Sequence, residues 1–285
     1  MTLFLIFLCA SEEHDLWTYV DDENWDGSKV NVAGMAPVVA VPTTSGTGSE
    51  VGRASVITNE DDHTKKIIFH PGMLPARVIL DPVVTAGLPP HLSAAVGMDA
   101  LSHCMEAFSS PVYHPLAQGI GLEGMKLIKD WLPRVYKDGS DIEARAHLQI
   151  ASTMGCTAFQ KGLGAMHSLA HPCGAVLNTH HGLTNAVVMP YVMAYNKAEV
   201  SDKFADLARY LDLPHHSFEG VMEWVIELRK ELQIPHTLKD IGVEESHVAQ
   251  LAPMAVLDPS TGTNPVPLTD ASAAELFRNC INGNL

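Results

Sequence analysis

Gly97-Met98-Asp99-Ala100-Leu101-Ser102-His103 is small and apolar except for one carboxylate and one imidazole, placed four residues apart. On a helix that spacing turns Asp99 and His103 to the same side. The surrounding residues, 94–109, keep an apolar repeat close to 3.6, so a helix is the predicted local structure. A carboxylate and an imidazole on one face are sound ligands for a borderline cation. Taken alone, the pair is more simply a surface Asp–His contact.

C-terminal to this stretch the helical texture continues. Residues 119–131, 143–161, 166–175, 201–211, 217–232 and 271–280 all support helical periodicity. Pro133, Pro214 and Pro235 follow three of these segments and are predicted to stop them. Asp141 and Ser217 are predicted N-caps. N-terminal to the stretch the texture differs. Val38-Val39-Ala40-Val41 reads as a buried strand, with Ser55-Val56-Ile57-Thr58 and Val78-Ile79-Leu80 as two more, separated by Gly, Asp and Asn. The expected organisation is an α/β part over residues 1–85 and an all-helical part over 86–285, joined near 81–90. No internal repeat is present.

Composition bounds the function. The chain has 285 residues, 46% hydrophobic and 18% charged, with a formal net charge of -15. That is a globular profile. The densest basic run is Lys65-Lys66, so a surface for nucleic acid is excluded. Five scattered cysteines show no CxxC pairing, which excludes a zinc knuckle or disulfide framework and makes a reducing cytoplasm the expected location. Met1 to Ala10 (MTLFLIFLCA) reads as a buried strand, with a cleaved signal as the other option; it is too short to span a bilayer, and no membrane segment is expected.

Three further segments carry chemistry. His167 and His171 sit four apart in Ala165-Met166-His167-Ser168-Leu169-Ala170-His171, among small and apolar residues. Both rings cannot be buried there without partners, so a ligand or catalytic role stands level with a structural one. Asn178-Thr179-His180-His181-Gly182 is a polar turn ahead of another helix, and either histidine could contribute a ligand. Pro42-Thr43-Thr44-Ser45-Gly46-Thr47-Gly48-Ser49-Glu50 follows a strand directly. It is neither GxGxxG nor a Walker loop, and it is equally readable as a phosphate cradle or an ordinary turn. Carboxylate plus imidazoles suits Fe(II) or Zn(II) and does not suit Mg or Ca.

In combination these segments resemble the iron-containing alcohol dehydrogenase family. The resemblance is carried by PTTSGTGSEV at 42–51, GMDALSHCMEA at 97–107, GAMHSLAHPCGA at 164–175, THHG followed by NAVVMPYVMAYN at 179–196, and DPSTGTNPVPLT at 258–269. It implies a dehydroquinate synthase-like architecture, in which a Rossmann-like nucleotide domain precedes a helical metal-binding domain. It implies that Asp99, His103, His167 and His181 are the metal ligands, and that His171 lies near the nicotinamide as the catalytic imidazole without binding metal. His180 falls outside the ligand pattern. Thr43, Thr44 and Thr47 match the cofactor loop, Lys65 a lysine reaching the cofactor ribose, and Leu80 to Val84 the segment beside the adenine. The implied cofactors are Fe(II), with Zn(II) as the other ion, and NAD or NADP. The implied partners are a small alcohol or aldehyde and further copies of the chain, as a dimer or larger.

The family's glycine-rich GGGS-x-x-D turn has no match in residues 1–41, so a partial Rossmann-like domain is expected. The expected activity is hydride transfer between an alcohol and NAD(P), with the metal polarising the substrate oxygen. Two other readings use the same residues: a metal-binding chain without turnover, and a metal hydrolase or oxygenase. The hydrolase reading leaves the Thr/Gly loop and Lys65 without a purpose.

Overall fold

The computed structural model describes residues 14–20, 26–59, 61 and 64–285. The strand expected at Met1 to Ala10 lies outside the described residues. Among the described residues four strands precede the α-helices: β1 (Val39–Ala40), β2 (Ala54–Asn59), β3 (Thr64–Phe69) and β4 (Arg77–Val78). β2 and β3 form an antiparallel hairpin in which Ala54 faces Phe69. β1 runs parallel to β4, with Val39 opposite Arg77. Tyr19, Val30, Ile68 and Met73 make a small apolar cluster of their own beneath this part.

Eight helices follow among the described residues: α1 (Pro90–Ser109), α2 (Pro115–Lys137), α3 (Ile142–Ala158), α4 (Ala165–Leu177), α5 (His181–Tyr210), α6 (Phe218–Glu231), α7 (Val248–Leu257) and α8 (Asp270–Asn282). None is long and apolar enough to cross a membrane. α1 is the central element, packed against α2, α3 and α5. Its apolar residues run all the way round rather than along one stripe, and nearly all of it from Ser93 to Ser109 is buried. Each large side chain it buries, Met98, Leu101 or Met105, contributes about 1.5–3 kcal/mol. Any polar group on α1 from Ser93 onward is therefore forced into a dry interior.

Two expectations are corrected. The Val38 to Val41 segment is not a buried strand: Val38 is buried, but Val39 and Val41 are 58% and 45% exposed. The reason is that β1 has only β4 as a neighbour among the described residues. Pro133 does not stop its helix; α2 continues to Lys137. Proline costs about 3 kcal/mol inside a helix, but the buried stripe Met125, Ile128, Leu132, Val135 runs straight past it. Burying Val135 and keeping α2 on α1 and α3 outweighs one missing backbone bond. The same holds for Pro172 in α4 and Pro190 in α5. Pro190 lies in a run, Asn185 to Met193, buried on every side; a helix was expected after the turn at Gly182, but periodicity marked only 201–211 of α5.

The expected N-caps are present. Asp141 Oδ1 accepts from Ala144 N at 3.0 Å, and Ser217 Oγ accepts from Gly220 N at 3.3 Å. The four cysteines among the described residues are unpaired and buried.

Candidate metal centre

Three helices bring the site together. Asp99 and His103 project from α1, His167 from α4 and His181 from α5. Asp99, His103 and His167 each offer a ligand atom, all within 4.8 Å of one another, and all three side chains are buried. His103 Nε2 and His167 Nε2 face each other at 3.0 Å. His181 Nε2 stands 3.5 Å from Asp99 Oδ1. It can come this close because Gly182 has no side chain: a Cβ there would meet the Ala95 carbonyl oxygen at 2.5 Å.

Neighbouring residues set the orientation of each ligand. Glu106, one further turn along α1, takes His167 Nδ1 on Oε2 at 2.6 Å and Met166 N on Oε1 at 2.6 Å. Asn185, one turn after His181, donates Nδ2 to Asp99 Oδ1 at 2.9 Å and lies 3.3 and 3.2 Å from His167 Nε2 and His181 Nε2. His171 turns its Nδ1 away from the cluster, toward Asp258 Oδ2 at 2.8 Å, while its ring stacks on His181 with centroids 5.2 Å apart. His180 instead caps α5, its Nδ1 accepting from Leu183 N at 3.3 Å.

The electrostatics favour bare ligands. Burial pushes His103 and His167 down to about 4, against the opposing pull of Asp99, and drives His181 well below its ordinary value. All three imidazoles are thus neutral at pH 7 and able to offer a lone pair. Burial works to raise Asp99, yet His103, His181 and His167 around it bring it below its usual range. Burial pushes Glu106 up to about 7.

The residues fit a divalent cation. His103 Nε2 and His167 Nε2 lie 3.0 Å apart, and His167 Nε2 and His181 Nε2 stand 4.0 and 3.5 Å from Asp99 Oδ1, so the ligand atoms of all four side chains converge. With His167 Nδ1 committed to Glu106, its Nε2 lone pair points at the nitrogen of His103. Such convergence is costly in a dry interior unless a positive charge sits between the groups. One carboxylate and three imidazoles suit Fe(II) or Zn(II).

Of the residues expected at the cofactor, Lys65 lies close to this cluster, near His167 and His181. The 42–50 loop buries Ser45, Gly46, Gly48 and Glu50 and leaves Thr43, Thr44 and Thr47 exposed. It is pinned to α3: Ser152 Oγ donates to Gly46 O at 2.9 Å and Thr153 Oγ1 to Glu50 Oε1 at 2.6 Å. Gly48 adopts φ 68°, and a Cβ there would lie 2.4 Å from Ser152 O. Gln149 Nε2 reaches both Pro42 O and Asp81 O, at 3.3 and 3.2 Å, so this loop and the Leu80 to Val84 segment meet over α3. Leu80 is half-buried and Val84 exposed. Lys65, on β3, reaches the opposite side: its Nζ lies 3.2 Å from where a Gly174 Cβ would be, one turn beyond His171. Burial lowers its pKa, opposed by the nearby Asp258 and Asp99.

Sequence reasoning missed Glu106, Asn185 and Asp258. Two had a local signal. Glu106 lies seven residues after Asp99 and Asn185 four after His181, each on a ligand's helix face. Asp258 had none; tertiary packing delivers it across 87 residues.

The model of the C-terminal part of the Fe-containing alcohol dehydrogenase family matches residues 93–281, and the model for iron-containing alcohol dehydrogenase matches residues 5–82. The chain belongs to the iron-containing alcohol dehydrogenase family. It is 39% identical to a 4-hydroxybutyrate dehydrogenase of Cupriavidus necator over 283 residues, covering 96% of this chain and 72% of that one. It is 35% identical to an NAD-dependent methanol dehydrogenase of Bacillus methanolicus, covering 87% and 67%. A crystal structure of 1,3-propanediol oxidoreductase superposes with a TM-score of 0.89 at 32% identity, covering 96% of this chain and 73% of that chain. The fold is that of the iron-containing alcohol dehydrogenases, with a mostly helical C-terminal part. Alcohol dehydrogenation with a metal and NAD follows at the level of the family.

Proposed function

We propose that Asp99, His103, His167 and His181 hold one divalent cation, Fe(II) or Zn(II), and that the chain interconverts small alcohols with their aldehydes or ketones using NAD or NADP. The observation that supports this most is the meeting of four ligand-capable side chains, from three helices, beside Lys65. The bound ion supplies Lewis acidity toward the substrate oxygen.

This chain's own residues do the rest. Residues 1–85 bring the dinucleotide and residues 86–285 the metal. Thr43, Thr44 and Thr47 offer exposed hydroxyls to the cofactor, Leu80 and Val84 flank its adenine side, and Lys65 reaches its ribose. Asp258 holds the Nδ1 proton of His171, so His171 Nε2 faces the cleft and passes the alcohol proton to solvent. Asp99, His103 and His167 are sealed from water, whereas His171 and His181 are partly open, so substrate enters from their side.

The test is to load the protein anaerobically with Fe(II) or Zn(II) and follow NADH formation with 4-hydroxybutyrate, 1,3-propanediol and methanol. Turnover that needs both metal and NAD is expected with at least one short alcohol. Tight metal binding with no calorimetric NAD(H) binding would leave a metal-holding chain without turnover. Cofactor-independent hydrolysis would sink the dehydrogenase reading.

A further inference from the structure

We propose that Glu106 is the positioning residue of the metal centre, holding His167 in the one tautomer and orientation in which its Nε2 can bind a cation. The inference rests on the metal reading above and adds a group outside the ligand set.

The geometry carries it. Asp99, His103 and Glu106 lie at i, i+4 and i+7 on α1, along one helix face. The helix that supplies two ligands therefore also supplies the group that orients a third. Glu106 divides its two oxygens: Oε2 lies 2.6 Å from His167 Nδ1, and Oε1 accepts from Met166 N at 2.6 Å. One carboxylate thus holds both the imidazole and the backbone it hangs from. A ring that donates from Nδ1 to a carboxylate keeps its Nε2 lone pair free, and the negative charge raises that nitrogen's basicity.

A capping role alone does not account for this residue. The N-cap of α4 is Gly164, which has no side chain to cap it, and Asn264 Oδ1 already takes the Ala165 N–H at 3.0 Å. A neutral Asn, Ser or Gln would serve Met166 N as well. A carboxylate only 4% exposed is costly to bury without a matched partner. The backbone N–H groups of Gly164 and His167 also favour the ionised carboxylate; what it adds to that cap is its hold on the ring.

Two measurements test the role on the full chain. In the zinc-loaded parent, long-range nitrogen–proton NMR of histidine should show His167 protonated at Nδ1, with a slowly exchanging proton, and unprotonated at Nε2. The opposite tautomer overturns the proposal, with no variant needed. In Glu106→Gln, affinity for Co(II) and Zn(II), read by chelator competition, should fall about 10–100-fold, and the visible Co(II) spectrum should change. A purely structural residue would lower thermal stability without altering that spectrum. Affinity within about twofold of the parent and an unchanged spectrum in E106Q overturn the role of Glu106 but leave the metal reading standing. If the parent itself binds neither ion, both fall together. Should E106Q fail to fold, Glu106→Asp keeps the charge and withdraws it by one methylene, and the same two outcomes apply.

Discussion

Asp99 and His181 approach the same point from different helices, and the nearest groups of like chemistry, Glu106 and His171, are engaged with His167 and Asp258. Asp99→Ala or His181→Ala should therefore abolish metal retention while far-ultraviolet circular dichroism stays helical; metal content equal to the parent's would refute the ligand assignment. Asp258 has a different task. Burial works to raise its carboxyl, but the hydrogen bond and charge of His171 bring it below the usual range. Asp258→Asn should keep the metal and lower kcat by about two orders of magnitude, since acid–base groups contribute about 10²–10⁴. A parent-like kcat would place His171 outside the proton path. The side-by-side histidines illustrate what spacing conveys. His167 and His171 are equivalent on a helical wheel, as are His180 and His181 in a turn. The partner at Nδ1 separates them: Glu106 for His167, Asp258 for His171, and the backbone of Leu183 for His180.

The end of α1 shows how an element is closed by side chains that periodicity does not reveal. Lys161 is buried, and its Nζ donates to Ser110 O at 2.9 Å and Phe108 O at 3.3 Å. Burial, with Lys203 nearby, lowers its pKa to about 8 from 10.5. The unfolded chain then holds this proton more tightly than the folded one between those values, so the contribution of Lys161 to stability increases with pH across that window and is lost as pH falls through about 8. Buried thiols titrate in the opposite sense: burial raises Cys104 and Cys156 to about 12, so the measurable quantity is a difference. Stability of the parent minus that of Lys161→Met, from urea unfolding at several pH values, should rise over the window; a flat difference would refute it. Two helix starts were legible as caps. Asp141 and Ser217 act through the next turn and are visible in sequence, whereas the continuation of α2 through Pro133 depends on what Val135 packs against.

For the whole molecule, metal and fold are coupled. The ligands come from α1, α4 and α5, so a bound ion ties these helices together and binds the native chain only. At a free ion concentration about a hundred times Kd the gain is about 2.7 kcal/mol. Zinc should accordingly raise Tm, chelator should reverse the rise, and Asp99→Ala should show none. A Tm indifferent to zinc in the parent would mean that no such link exists. The N-terminal part contributes little to this coupling, with its own small apolar cluster and β3 touching α4 through the Lys65 side.

Regular spacing could be read without coordinates wherever one helix carries the whole relation. Asp99 with His103, His167 with His171, the caps at Asp141 and Ser217, and the α/β-then-helical order of the chain are of this kind, because helical geometry alone places such residues together. Glu106 belongs with them in principle, seven residues along the same face. The remainder was decided by packing. Asp258 reaching His171, Gly182 admitting α5 against Ala95, the exposure of β1 and the passage of α2 through Pro133 each depend on contacts between distant segments. Local propensity is worth at most a few kcal/mol per residue, and burial against a neighbour outweighs it, so a single chain segment does not contain the answer.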